Sequence, residues 1–301
     1  MNQIFLSPDG TRLRAGWRLL IHTFALITLG GCISVPIVAL LIALDPSFVN
    51  SIPNIKPEFL LLASIGETFA ITISVFLARR YLDKLPIESL GLKLNRQALL
   101  DLLTGIGITF LQMGLIFLLM RGLNWLTFNG FAWEFDPLGV VVKNTLLFFI
   151  IFIMVGWNEE LLSRGYHLQT IASGLNLFWG VMISSAVFGL LHLGNPNSTV
   201  VSVVGIFLAG VFFAYAYLRT KQLWLPIGLH LGWNFFEGVV FGFPVSGLEI
   251  YPLTRIEVTG PVLWTGGAFG PEAGLIVLPS LVLGALLIYL YTAKRTGKTL
   301  V

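Results

Sequence analysis

The stretch VVKNTLLFFIIFIMVGWNEELL occupies Val141–Leu162 and decides the fold class. An apolar run of about 20 residues is the length that a helix needs to cross ~30 Å of hydrocarbon. This run ends on two adjacent glutamates, Glu159 and Glu160. Ionisable groups at membrane depth are costly, so each one is a functional hypothesis. The stretch therefore predicts a membrane-spanning helix that carries acidic groups for chemistry.

The composition of the whole chain agrees with a lipid environment. Hydrophobic residues make up 56% of the 301 residues and charged residues 11%, and the mean hydropathy is +0.86. Soluble globular domains are about a quarter charged, so a soluble domain is excluded. The single cysteine, Cys32, excludes an intrachain disulfide. Basic residues are spread over several loops, which gives no nucleic-acid-binding face; the lipid bilayer is the expected partner.

Runs of similar length recur along the chain and predict an all-α fold, a polytopic membrane helix bundle with about eight transmembrane helices in one membrane domain, residues 1–301. The predicted spans are Trp17–Leu44, Phe59–Ala78, Leu102–Met120, Val141–Leu162, Leu177–Leu193, Thr199–Leu218, Leu223–Phe243 and Ala273–Tyr291. The first run is too long for a secretory signal and has no cleavage site after it, so we expect it to be retained.

The loops differ in positive charge, which predicts an orientation. With eight spans, 14 Lys and Arg residues fall on one side and four on the other. Cytoplasmic loops are enriched in Lys and Arg, so both termini are predicted to be cytoplasmic, together with the loop that carries Arg79 and Arg96. The length and the lean loops fit a protein of a bacterial plasma membrane. The oligomeric state is not determined by the sequence.

The longest polar interruption is a glycine-rich stretch, predicted as an outer loop at about residues 244–272 and extending to Gly274. Its many turn residues predict irregular structure. The glycines would let it fold back over the helices. Its function is not predicted.

Glu159, Glu160 and Arg164 form the first candidate motif. A helix turns about 100° per residue, so Glu160 and Arg164 lie on one face as an i, i+4 pair, and Glu159 points elsewhere. One glutamate is then held by the arginine, and the other is free to face a cavity. The alternative is an ordinary charge cluster at the cytoplasmic end of a helix, and this motif alone does not decide between the two interpretations.

Phe188 and His192 form a second motif, with the ring and the imidazole on one helical face. A lone histidine on an apolar helix is more often an interhelical hydrogen-bonding group than a catalyst. The importance of His192 therefore depends on the groups that it meets.

His230 and Asn234 form a third motif, again at i and i+4, and Glu237 extends the same polar stripe. Gly228 and Gly232 beside it would allow close approach of a neighbouring helix or of a substrate backbone. A polar stripe of this kind is also compatible with an ion or solute pathway.

Together, Glu-Glu-x-x-x-Arg, Phe-x-x-x-His and His-x-x-x-Asn, in this order and on separate spans, resemble the three signature motifs of the CPBP family. This family includes the CAAX prenyl endopeptidases and bacterial proteins linked to bacteriocin processing and self-immunity. The motifs lie between about Trp157 and Glu237, within a signature core at about residues 141–243. Each motif alone is weakly specific for the family, whereas the combination of the three is strongly specific.

The resemblance implies an intramembrane endopeptidase that cleaves membrane-associated proteins or peptides, of which prenylated CAAX-type proteins are the best-known class. It implies that Glu159 is the catalytic glutamate, with His192 beside it and His230 and Asn234 completing the site. Glu160, Arg164 and Phe188 would support them. The residue chemistry agrees: Glu159 can activate a water as general base, and His230 and Asn234 can donate to a developing oxyanion.

Other functions remain open at this point. Glu159, His192 and His230 supply the ligand types of a catalytic zinc site with an open position, so zinc is possible. No HExxH pair is present, however, and a metal-free site with no cofactor is favoured. A membrane scaffold or bacteriocin-immunity protein could retain these residues without proteolysis. A solute carrier could also use them, although no inverted repeats are evident.

Overall fold

The computed structural model describes residues 2–44 and 56–296, and within them helices dominate. The predicted all-α membrane bundle is confirmed. The main helices are α1 (Ala15–Leu44), α2 (Pro57–Leu82), α3 (Arg96–Gly122), α4 (Leu138–Gly174), α5 (Leu177–Leu191), α6 (Val200–Thr220), α7 (Trp224–Asn234) and α8 (Val277–Thr296). Lys298, one of the cations counted in the predicted orientation, lies outside the described residues.

Helices α1 to α6, with α5 counted through its 3-10 turn to Gly194, are the six described helices that are long and apolar enough to cross a membrane. The two other predicted spans are also helical but shorter. The α-helical part of α7 is 11 residues long and continues as a π-helical segment, Phe235–Val240. The apolar part of α8 runs from Val277 to Ala293. The count of eight transmembrane helices therefore stays a prediction.

The predicted end of the fourth span, Leu162, is wrong. Helix α4 continues through a π-helical segment, Leu161–Leu168, to Gly174. The polar residues of that segment resemble a helix end in the sequence, but the bundle buries them: Arg164 is 1% exposed and Tyr166 is fully buried. The longer helix moves Glu159 from the end of a span to its interior. π-helical segments are rare and are frequently found at functional sites.

Helix α7 is packed tightly between α3 and α4. A Cβ added at Gly228 would lie 2.1 Å from the Leu102 carbonyl oxygen, and one added at Gly232 would lie 2.1 Å from Thr109 Oγ1. Neither distance is possible for real atoms, so both positions require glycine. The expected close approach of a helix at these glycines is confirmed. It fixes α7, and with it His230, against the neighbouring helices.

The glycine-rich loop contains a short strand that the sequence did not predict. Strand β2 (Thr254–Val258) pairs antiparallel with β1 (Leu126–Phe131), which precedes α4. The rest of the loop folds back onto the bundle, where Glu272 accepts hydrogen bonds from Trp233 Nε1 (3.1 Å) and from the backbone N–H of Ser246 (2.9 Å). The loop is thus anchored to α7, beside the candidate site.

A buried charge cluster joins helices α1, α2 and α4 at the end of the bundle opposite the glycine-rich loop. Asp83, just after α2, pairs with both Arg18 of α1 and Arg79 of α2. Arg79 also donates to Ser89 and to Gln169 of α4. We call Arg18, Arg79 and Asp83 the arginine–aspartate cluster. It ties three helices together at one level.

Candidate active site

Glu159 is the meeting point of two histidines from other helices. Its Oε2 atom lies 3.8 Å from Nε2 of His192 and 3.7 Å from Nε2 of His230. The Glu159 side chain is 30% exposed, and Oε2 has no hydrogen-bond partner in the described part of the chain. These three side chains, with Glu160 and Arg164 behind them, are called the glutamate–histidine cluster below. The separations are too long for direct hydrogen bonds, and a water ~2.8 Å from each atom can bridge them from the side.

The tautomer of His192 follows from its backbone contact. Its Nδ1 atom lies 2.8 Å from the Phe188 carbonyl oxygen, one helical turn earlier. A carbonyl oxygen only accepts, so Nδ1 carries the proton. In the neutral imidazole, Nε2 is then an acceptor that faces Glu159. His192 lies at the end of α5, where the chain leaves the helix in a 3-10 turn, His192–Gly194.

His230 is held by Glu160 in a similar way. Its Nδ1 atom lies 2.8 Å from Glu160 Oε1, and the same oxygen accepts from Arg164 Nη1 at 2.8 Å. All three side chains are buried, with 6%, 0% and 1% exposure for His230, Glu160 and Arg164. The predicted pairing of Glu160 with Arg164 is confirmed. The pair does more than neutralise charge: it sets the orientation of the imidazole, whose Nε2 faces Glu159.

Aromatic rings fix the remaining freedom of these groups. The guanidinium of Arg164 lies over the Phe188 ring at 4.5 Å and over the Phe213 ring at 5.2 Å. Phe213 also stacks on His230, with centroids 4.9 Å apart and planes at 9°. Phe188, which is predicted as a supporting residue, thus contacts Arg164. Phe213 was missed, because it is one of many aromatic residues in the apolar span α6 and no spacing distinguishes it.

Asn234 lies one turn beyond His230 on α7 and is 6% exposed. The i, i+4 spacing places the two side chains on one face of the helix. Glu237 follows in the π-helical segment Phe235–Val240 and is fully buried. A Cβ added at Gly270 would lie 3.5 Å from Glu237 Oε1, so Glu237 faces the glycine-rich loop. The polar stripe predicted on this helix therefore divides between the glutamate–histidine cluster and the loop.

A catalytic zinc ion needs about three protein ligands that converge on one point. Glu159, His192 and His230 have the right ligand types for zinc. Nevertheless, across residues 2–44 and 56–296 no set of three His, Cys, Asp or Glu side chains is arranged to hold a metal ion.

Comparison with known proteins gives two matches to this region. Residues 141–236 match the family model described as Rce1-like, type II CAAX prenyl endopeptidase. A protein of Bacillus subtilis (strain 168), named "Putative membrane peptidase YdiL", is 31% identical over 100 residues, which cover 33% of this chain and 39% of that protein. No solved structure matches.

The resemblance to the CPBP family is confirmed. The matched segment begins near the start of α4 and ends two residues after Asn234, so it contains all three motifs and every residue of the glutamate–histidine cluster. At the level of the family, both matches indicate a membrane peptidase. The chain spans well under half of the length of the curated relative.

Proposed function

We propose that this protein is an intramembrane endopeptidase that hydrolyses peptide bonds of membrane-associated proteins with a water activated by Glu159. The observation that carries the proposal is the convergence of Glu159 Oε2 with the Nε2 atoms of His192 and His230 at 3.7–3.8 Å. Three ionisable side chains from three helices, placed without direct hydrogen bonds between them, suit a reaction that needs a bound water. Proteins of the prenylated CAAX type are the substrate class that the family match favours.

Glu159 acts first in this mechanism as the general base. It accepts a proton from the water while the water oxygen attacks the carbonyl carbon of the scissile bond. His192 accepts the second hydrogen bond of the same water at Nε2, because its Nδ1–H is committed to the Phe188 carbonyl. The proton taken by Glu159 then passes to the leaving nitrogen as the carbon–nitrogen bond breaks. No acyl-enzyme is formed.

The negative charge on the carbonyl oxygen is stabilised by α7. Asn234 donates from its amide, and His230 donates from Nε2 when it is an imidazolium. The Nδ1–H of His230 is already committed to Glu160, so only a doubly protonated ring can donate at Nε2. Glu160 and Glu159 lie on either side of His230, at 2.8 Å from its Nδ1 and 3.7 Å from its Nε2. Glu160 and Arg164 are therefore positioning residues for His230.

The experiment that tests the proposal compares membranes of cells that make the wild-type protein with membranes of cells that make Glu159→Gln. New peptide ends present with the wild type alone identify substrates, and one of them is then cleaved by the purified protein. We expect Glu159→Gln to lower turnover by roughly 10²–10⁴-fold with an unchanged unfolding temperature. Glu134→Gln, the same change at an exposed loop position, is the matched control and should keep wild-type turnover.

Wild-type cleavage by Glu159→Gln would show that the mechanism is wrong. If a chelator abolishes cleavage by the wild type and zinc restores it, a metal mechanism replaces the glutamate-activated water. If the two membranes have identical peptide ends, the protein is a scaffold or an immunity protein that retains the site.

A further inference from the structure

A cavity lies away from the glutamate–histidine cluster. It is enclosed by the amino-terminal segment, by the first turns of α1, by the end of α4 and by α5. Its volume is about 610 Å³, within the range of sites that bind small molecules. None of Glu159, His192, His230 and Asn234 lines it. Its lining is divided into a basic end and an apolar end. This division indicates the chemical class of ligand that the cavity can bind.

The basic end combines arginines with the start of a long helix. Arg12, Arg14 and Arg18 line the cavity together with Ala15, the first residue of the 30-residue helix α1. The first N–H groups of a helix and its dipole favour an anion. Arg18 is 2% exposed, and its Nε has no hydrogen-bond partner among the described residues. A buried donor without a partner at this position indicates that a ligand oxygen completes its bonding.

Acidic groups only partly balance these cations. Arg18 shares Asp83 with Arg79, and the exposed Asp9 bonds to Ser7 and Thr11 beside Arg12. Arg14 donates from Nε to the Leu6 carbonyl, and a further cation, Lys84, donates to the Thr11 carbonyl. Three of these cations, Arg12, Arg14 and Arg18, line the cavity, and neither Asp9 nor Asp83 does. The basic end keeps an excess of positive charge that complements a phosphate.

The apolar end is formed by Leu19, Ile171, Leu175, Ile183 and Val187. Ile183 and Val187 lie on successive turns of α5, and Leu175 follows the end of α4. Together these side chains form an apolar surface that can contact hydrocarbon. An inorganic anion would leave this surface uncovered. A ligand that fills the whole cavity needs both an anionic group and an apolar chain.

The amino-terminal segment places the cavity at a lipid surface. The chain folds back on itself through a bridge between Leu6 and Leu13, and Trp17 Nε1 donates to the Ile4 carbonyl at 3.1 Å. Ile4, Phe5 and Trp17 remain exposed, at 62%, 48% and 36%. Exposed tryptophan and apolar side chains beside arginines are typical of segments at the membrane–water interface. A membrane lipid is therefore the amphiphile at hand.

We propose that this cavity binds one anionic glycerophospholipid, with its phosphate at Arg12, Arg14 and the first turn of α1, and one acyl chain along α5. Basic pockets between transmembrane helices bind anionic headgroups elsewhere. The site is independent of the peptidase reaction, and its occupation does not require Glu159. A bound lipid would join α1, α4 and α5 next to the arginine–aspartate cluster.

The test is native mass spectrometry of the full-length purified protein in detergent, with added phosphatidylglycerol or phosphatidylcholine of equal chain length. Each arginine near a lipid headgroup contributes about fivefold in affinity, so the wild type should prefer phosphatidylglycerol roughly thirtyfold. Arg12→Gln/Arg14→Gln should bind both lipids equally, and Arg14→Gln alone should lose about fivefold if the double variant does not fold. Arg80→Gln removes the same charge from an exposed position outside the cavity and should keep the preference.

Two further arms separate a lipid from a free phosphate. Ile183→Phe fills part of the apolar end and should weaken binding of phosphatidylglycerol at least tenfold, whereas 10-fold excess inorganic phosphate should leave the bound lipid in place. Equal binding of both lipids by the wild type would overturn the proposal, as would a loss in Arg80→Gln as large as in the double variant. Displacement of the lipid by inorganic phosphate would assign the site to a free anion instead.

Discussion

The arginine–aspartate cluster and the glutamate–histidine cluster both place charges inside the bundle, but their hydrogen bonding differs. Every side-chain nitrogen of Arg79 donates a hydrogen bond, to Asp83, Ser89 or Gln169. By contrast, Glu159 Oε2 and Glu160 Oε2 are buried atoms without hydrogen-bond partners in the described residues. Glu159 remains 30% exposed, whereas Asp83 is completely buried.

This difference separates charges that stabilise the fold from charges that react. A buried ion with all its bonds made cannot bind anything further without losing one of them. An acceptor that is left without a partner, close to two imidazoles and on a side chain that is 30% exposed, keeps its capacity for a substrate or a reacting water. Burial and charge alone do not distinguish Arg79 and Asp83 from Glu159, and the completeness of their hydrogen bonding does.

The largest effect on stability is expected for Asp83→Asn. The substitution leaves Arg18 and Arg79 buried without a carboxylate, and breaking a buried ion pair costs about 3–5 kcal/mol in free energy of unfolding. The measurement is thermal unfolding of the purified protein in detergent, with the proteolytic rate per folded molecule measured in parallel. Glu159→Gln should show the opposite result, with stability retained and turnover lost.

The distinction between stabilising and reacting charges is wrong if Asp83→Asn keeps its stability and Glu159→Gln loses it. An Asp83→Asn protein with wild-type stability would mean that the ion pairs of Asp83 with Arg18 and Arg79 contribute little. An unstable Glu159→Gln protein would mean that Glu159 is structural, and the loss of turnover would then no longer identify a base.

The sequence predicted the parts of this molecule that depend on local rules. Apolar length predicted the helices, and the i, i+4 spacing predicted the pair of Glu160 and Arg164. The π-helical segment Leu161–Leu168 was not predicted, because only tertiary packing buries its polar residues. Because the bundle buries this segment, α4 continues past the polar residues that indicate a helix end in the sequence.

Contacts between segments that are distant in the chain could not be predicted from the sequence either. The stacking of Phe213 on His230 joins α6 to α7, and the anchoring of Glu272 at Trp233 joins the glycine-rich loop to α7. Such contacts depend on how helices are placed in space, and a single sequence carries no periodicity for them. The family resemblance supplied the convergence of Glu159, His192, His230 and Asn234 as an expectation, and the distances give the geometry of the first three.

A smaller effect, on turnover, is expected for Asn234→Ala. Loss of one oxyanion donor lowers kcat by about 10²–10³-fold, while KM changes little, because the charge on the oxygen develops only in the transition state. The measurement is steady-state cleavage of a substrate identified as described above. Asn144→Ala on α4 removes the same amide, which donates to the Val140 carbonyl, and should leave kcat unchanged. A rise in KM alone would place Asn234 in substrate binding.

The smallest effect is expected at a third charge pair, Lys143 and Glu58, which connects the starts of α4 and α2 at the surface. Both side chains are largely exposed, at 60% and 46%, so water solvates each charge in the absence of the other. Exposed pairs contribute about 0–1 kcal/mol, and salt screens them. Lys143→Gln should therefore lower the free energy of unfolding by less than about 1 kcal/mol, and the difference should vanish in 1 M salt. A loss as large as that of Asp83→Asn would show that proximity of opposite charges, and not the completeness of their buried hydrogen bonding, determines what a charge pair contributes to this bundle.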